Sequence, residues 1–167
     1  MATQRPQWDT WPADVHWQSI SPRLAHALLV RLFLLGVPLL GIVVVVAWLW
    51  WGPVWAGIAG ALLLAGQLSQ AFLIPRRVHA WGYAERDDDL LIRHGLWTRR
   101  LSIVPYGRMQ FIDIRANPVD RVFELATVNL HTASAASDST VPGLSPDAAT
   151  RLRDRLAARA HTEFEGL

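Results

Sequence analysis

The chain has 167 residues, a formal net charge of +2, 51% hydrophobic residues and no cysteine. Its composition excludes a disulfide framework and thiolate chemistry, and the charge is too small to argue for a nucleic-acid partner. All 16 basic residues are arginine, a chain-wide bias, so no single arginine reads as selected over lysine for bidentate recognition.

Residues 1–20 are polar, carry Trp8, Trp11 and Trp17, and are broken by Pro6 and Pro12. They read either as a mostly irregular arm whose indoles rest on a membrane surface or as a disordered tail. Ser21-Pro22 is a helix start, with a hydroxyl to cap a free N–H and a proline where no N–H is needed. Residues 32–74 then contain no charged side chain and are interrupted only at Trp50-Trp51-Gly52-Pro53. About 20 apolar residues in a helix cross a hydrocarbon core of about 30 Å. Residues 32–51 and 53–74 therefore supply two crossings joined by a tight turn. Buried helices of a soluble domain are the competing reading, but Val43-Val44-Val45-Val46 and Leu62-Leu63-Leu64 leave no polar stripe. A cleaved signal sequence fits less well still, because the run starts late and a second one follows at once.

Arg23 and Arg31 precede the first crossing and Arg76-Arg77 follow the second, whereas the turn is uncharged. The positive-inside rule places both termini in the cytoplasm and the turn outside, where Trp48, Trp50, Trp51 and Trp55 would mark the outer interface. Pro38 is expected to bend the first helix. In the second, small residues at four-residue spacing (Ala56 with Gly60, Gly57 with Ala61, Ala61 with Ala65) admit a neighbouring helix. Gln67, Ser69 and Gln70 offer interhelical hydrogen bonds. The same polar groups could line a transport path, but no ionisable partner accompanies them. Gly57, Gly60, Ala61, Gln67 and Gln70 are the candidate helix contacts.

After Pro75-Arg76-Arg77, short strand-like segments are separated by turn signals. Strands are expected over residues 78–86, 90–93, 97–106, 109–115 and 126–132, with an edge strand at 140–142. An acidic turn is expected at Asp87-Asp88-Asp89, a short turn or helix at 117–123 and a loose loop at 134–139. Leu101 and Ile103 share one face of their strand, Arg100 and Ser102 the other. Ala126, Val128 and Leu130 alternate inward against Thr127, Asn129 and His131. Ser145-Pro146-Asp147 opens a final helix whose Ala149, Leu152, Leu156 and Ala160 form an apolar stripe, with Arg151, Arg155 and Arg159 pointing elsewhere. The expected division is an arm at 1–21, a hairpin at 22–75 and an α+β domain at 76–167, its sheet sealed by the last helix.

The segments Leu90-Leu91-Ile92-Arg93-His94-Gly95-Leu96-Trp97, Ile103-Val104-Pro105-Tyr106-Gly107-Arg108-Met109-Gln110, Asn117-Pro118-Val119-Asp120-Arg121-Val122-Phe123 and Ala126-Thr127-Val128-Asn129-Leu130-His131-Thr132-Ala133 come in an order that resembles the bacterial pleckstrin-homology-like (PH-like) domain of YdbS-type membrane proteins. The two spans and the Ser21-Pro22-Arg23 entry resemble that family too. The resemblance implies a partly open β-barrel of about seven strands in two near-orthogonal antiparallel sheets, capped by the C-terminal helix. It implies no catalytic residue and no cofactor. Where the family usually has a glycine after the short turn, this chain has Glu124, which would be strained by about 1 kcal/mol or more at a positive φ.

Catalytic constellations are not apparent. His16, His26, His79, His94, His131 and His161 lack metal-ligand spacing. The three adjacent aspartates fit a solvated turn better than a cation site, and neither a phosphate loop nor a nucleophile elbow is present. The strongest signal is the arginine content of residues 76–115. Arg76, Arg77, Arg99 and Arg100 are the candidate contacts to anionic lipid, each worth about 1 kcal/mol if it faces the leaflet. A solvated strand face is the alternative for the last two. The expected function is a non-enzymatic inner-membrane protein with a cytoplasmic PH-like module. Its expected partners are the bilayer, copies of itself or a related membrane protein with several such domains, without nucleic acid or cofactor. An accessory subunit of a transporter or envelope enzyme is the alternative.

Overall fold

The computed structural model describes residues 15–132 and 138–165. The readings for Trp8, Trp11, His161 and most of the loop at 134–139 lie outside the residues or side chains described. The element order is β1 (Gln18–Ser19), α1 (Arg23–Trp51), α2 (Pro53–His79), β2 (Gly82–Glu85), β3 (Asp89–His94), β4 (Arg100–Pro105), a 3-10 turn (Tyr106–Arg108), β5 (Met109–Arg115), α3 (Pro118–Val122), β6 (Ala126–Thr132), β7 (Ser139–Leu144) and α4 (Pro146–Glu165).

Two long helices form the hairpin, and both are long and apolar enough to cross a membrane. α1 runs without a break through Pro38. The Arg23 N–H donates to the Ser21 hydroxyl at 3.3 Å, as the Ser-Pro start requires. α2 departs from expectation at its far end. Proline disfavours helix in the residue before it, yet α2 passes through Pro75 to His79, so residues 78 and 79 are helical rather than strand. The cause is packing: Ile74 and Val78, one turn apart on the same face, are both buried against Leu24, Ala27 and Leu125.

The strands make two antiparallel sheets, ordered β1-β2-β3-β4 and β5-β6-β7. β1 corrects the reading of the arm as irregular, because Gln18 pairs with Tyr83 and Ser19 with Gly82. The whole hairpin is thus inserted between two neighbouring strands of one sheet. β2 starts at Gly82 and β4 at Arg100, later than expected, and β7 spans Ser139–Leu144, longer than the edge strand expected.

Between the sheets and α4 lies the main core of Tyr83, Leu90, Ile92, Val104, Tyr106, Val128, Leu130, Val141, Leu152 and Leu156. β6 alternates as read, with Ala126, Val128 and Leu130 buried. Ala149, Leu152 and Leu156 seat α4 on the sheets. Arg159, expected to point away, instead donates to the Tyr106 hydroxyl at 3.1 Å and to the Arg86 carbonyl. Arg155 grips Glu85 with two bonds of 2.7 and 3.0 Å. Both tyrosine hydroxyls are held as well, Tyr83 donating to Gln18 at 2.6 Å and Tyr106 to the Arg86 carbonyl at 2.9 Å.

Candidate functional site

A second apolar cluster welds the hairpin to the domain. Leu24, Ala25 and Ala27 of α1 and Ile74 and Val78 of α2 pack with Ile20 and Leu125 of the domain, with Trp81, Val119 and Phe123 at the margin. Around it, Ser21 N–H donates to the Gly143 carbonyl at 2.9 Å. Gly143 has φ 71, and a Cβ there would stand 3.0 Å from a Leu24 methyl, so only glycine lets β7 approach the helix this closely.

Glu124 sits in this seam. α3 ends in a Schellman motif, with Glu124 N–H donating to the Arg121 carbonyl and Leu125 N–H to the Asp120 carbonyl. Glu124 takes the left-handed position at φ 54, the only non-glycine with positive φ among the described residues. The turn keeps the geometry that favours glycine, and the glutamate side chain accepts from Arg23 at 3.0 Å. Both side chains are mostly exposed, so this pair is worth well under the strain it accompanies.

The sheet register then orients the domain. β2 starts just after α2 ends; Arg93 of β3 stands opposite Gly82, and His94 opposite Arg100 of β4. The β3–β4 turn, residues 95–99, therefore lies at the hairpin end of the sheet, and the acidic β2–β3 turn lies at the other. His94 stacks on Trp81 with ring centroids 4.8 Å apart, fixing the turn's base to the segment that leaves α2. Burial, and then the neighbouring Arg100 charge, push the His94 pKa below its ordinary value.

Arg99 on this turn and Arg100 at the start of β4 are exposed, while Arg76 and Arg77 are exposed in the last turns of α2. Arginines there also suit the negative end of the helix dipole. The Arg76 guanidinium lies 4.1 Å from the Phe72 ring centroid. Arg31 and Arg77 flank an apolar groove of about 460 Å³ between the helices, lined by Leu32, Leu35, Ile74 and Gln70. The four candidate lipid-contact arginines thus sit on α2, the β3–β4 turn and the start of β4, at the same end of the domain.

At the opposite end of the hairpin, Trp48, Trp50, Trp51 and Trp55 are all exposed around the turn, with Trp50 and Trp51 6.2 Å apart. The helix-contact candidates divide. Gly60 faces α1, where a Cβ would come within 3.0 Å of Val44, and the Gln67 amide packs directly on Gly36, so a side chain at Gly36 would force Gln67 to move. Gly57 and Ala61 line a further groove with Leu40, Val44 and Val45 of α1, and Gln70 lines the groove beside Arg31 and Arg77, so these three border the α1–α2 seam while remaining exposed. Gly36 was not foreseen, because its partner lies on the other helix.

No catalytic arrangement emerges among the described residues. Among the described residues, no group of three or more His, Asp or Glu is placed to hold a metal ion. The three-aspartate turn is closed by backbone bonds, with Arg86 N–H donating to the Asp89 carbonyl and Tyr106 N–H to the Asp88 carbonyl. His131 meets Asp138 at 3.0 Å on the outer face of the second sheet. Asp138 is held below the usual carboxylate range by the Thr132 N–H and by His131.

A family model described as a bacterial PH domain matches residues 23–160, hairpin and domain together. The chain belongs to the bacterial PH domain family. Over 110 residues it is 34% identical to the UPF0699 transmembrane protein YdbS of Bacillus subtilis (strain 168), a match covering 65% of this chain and 68% of that protein. No solved structure matches. This is a YdbS-like PH-domain membrane protein, and its two sheets, apolar hairpin and closing helix are the architecture that the sequence resemblance implied.

Proposed function

We propose that this PH-domain protein is a non-enzymatic component of the bacterial plasma (inner) membrane, both termini cytoplasmic, whose domain serves as a binding and assembly module. Its partners would be copies of itself, a related membrane protein with several PH-like domains, or anionic headgroups. The observation that carries the protein-partner reading is strand β4. It is one of the two edge strands of its sheet, and its outward residues Leu101 and Ile103 are apolar and exposed, Ile103 by 54%. An edge of this kind offers a row of backbone donors and acceptors beside an apolar strip, the means by which sheets recruit another chain. Positive charge flanking both helices supports the cytoplasmic placement of the domain.

A photocrosslinking residue at Ile103 tests this in intact cells. It should give discrete adducts with a second copy or with another PH-like membrane protein, whereas the same residue at the exposed Ala157 of α4 should give none. Equal, diffuse labelling at both positions would count against the reading. Purification in mild detergent separates the alternative: a uniform homo-oligomer favours self-assembly, and obligatory co-purification of a catalytic subunit favours an accessory role.

A further inference from the structure

We propose that the β3–β4 turn is a third membrane contact, in which Leu96 and Trp97 enter the headgroup region of the domain-side leaflet and Arg99 and Arg100 meet its anionic lipids. Trp97 is the most exposed of the large apolar side chains among the described residues, at 88%. Leu96 beside it is also exposed. An indole and a leucine held out at the tip of a turn gain nothing from water, but the membrane boundary suits an indole, whose ring is apolar and whose N–H needs a partner.

Three independent features aim this tip at lipid. The register places the turn at the hairpin end of the sheet, and His94 stacked on Trp81 ties it to the chain leaving α2. The interfacial layer on each side of the hydrocarbon adds about 5–7 Å, and Arg77, which belongs at its margin, lies within one helical turn of the α2 terminus at His79. The tip itself is compact. Gly95 has φ 106, and a Cβ there would stand 2.0 Å from the Thr98 carbonyl oxygen, so the turn is closed tightly enough to present rather than bury its side chains.

Charge completes the argument. The turn carries Arg99 and Arg100, while the opposite end of the same sheet carries Asp87, Asp88 and Asp89. Arg86 and Arg108 also lie at the aspartate end, so it is the arginine pair at the β3–β4 turn, rather than an overall polarity of the domain, that would meet an anionic leaflet. Val122 of α3, a helix that packs against α1, is 79% exposed, a smaller apolar point near the hairpin.

This inference rests on the hairpin spanning the bilayer, and the test keeps the two apart. Because the chain has no cysteine, single substitutions Trp97→Cys, Asp88→Cys and Leu62→Cys can each carry an environment-sensitive fluorophore in the full-length protein. These are reconstituted in vesicles of phosphatidylcholine with or without one-quarter phosphatidylglycerol, with shallow spin-labelled lipid as quencher for positions 97 and 88 and deep spin-labelled lipid for position 62. The proposal expects at least twofold stronger quenching at position 97 than at 88, and a loss of much of that excess in neutral vesicles and in the R99Q/R100Q background. Quenching at 62 but none at 97 overturns the membrane contact and leaves the hairpin reading standing; quenching at neither overturns both. A shielded, blue-shifted probe at 97 that lipid does not quench means that a protein surface covers the turn, and this too overturns the proposal. Quenching at 97 that is indifferent to lipid charge and to both arginines overturns their assigned role.

Discussion

The hairpin and the domain use the same apolar side chains in opposite ways. Leu62 in α2 is 69% exposed, whereas Leu90 in β3 is fully buried. In water, a fully buried leucine contributes about 1.5–3 kcal/mol that an exposed one does not. A chain that hides one set and displays the other makes sense only if the two sets face different solvents. The seam of Leu24, Ala27, Ile74, Val78 and Leu125 is where the two regimes meet. It obeys the rule of the domain, with tight packing and little exposure, although most of its residues belong to the hairpin helices.

The comparison breaks first in the core. Leu152→Ala, under α4, should cost about 2–5 kcal/mol of domain stability, while Leu62→Ala on the lipid face should cost close to nothing. Unfolding followed in detergent micelles should separate the two, and equal losses would erase the distinction. Next comes the seam: Gly143→Ala must accept φ 71 and crowd Leu24, so about 1–3 kcal/mol should be lost. The domain core should persist in this variant while protease sensitivity appears near Ser21.

A smaller effect is expected from His94. Its folded pKa lies below the unfolded value, so near pH 6 the unfolded chain binds more protons and folding weakens as pH falls through that window. Acidification from pH 7.5 to 5.5 should destabilise the protein less in His94→Gln than in the parent. An NMR titration of His94 with a midpoint at or above the ordinary histidine value would contradict this.

The smallest change is at Glu124. Glu124→Gly relieves the left-handed strain and loses an exposed ion pair with Arg23, for a net gain of about 0.5–1 kcal/mol. Glu124→Gln should lose no more than a few tenths, since it removes the ion pair and keeps the strain.

Much of this organisation was legible in residue order because it is local. The two spans, the β6 alternation and the α4 stripe are periodic patterns, and the Ser-Pro helix starts are short signals read within a few residues. What escaped depends on distant partners. β1 is two residues long, and its pairing with Gly82 and Tyr83 crosses the entire hairpin. α2 outruns Pro75 because Ile74 and Val78 find Leu24 and Leu125, contacts that no local rule contains. Leu101 and Ile103 were correctly placed on one face, but only the register with β3 identifies that face as the outer one. Trp97 was read as part of a strand, so its place at an exposed turn, and with it the basic apolar tip, became evident only when β4 was found to start at Arg100. The arginine content near the spans was visible from the outset; that Arg99 and Arg100 lie at the end of the sheet away from the three aspartates depends on the direction of β2 and β3.

The central claim is that the hairpin crosses the bilayer and leaves its tryptophan-rich turn and its PH-like domain on opposite sides. Single cysteines at Val54, beside the turn, and at Ala157, on α4, can be probed with a membrane-impermeant maleimide in intact spheroplasts. The account predicts labelling at 54 without permeabilisation and at 157 only after it. Labelling of both positions from the outside would contradict it.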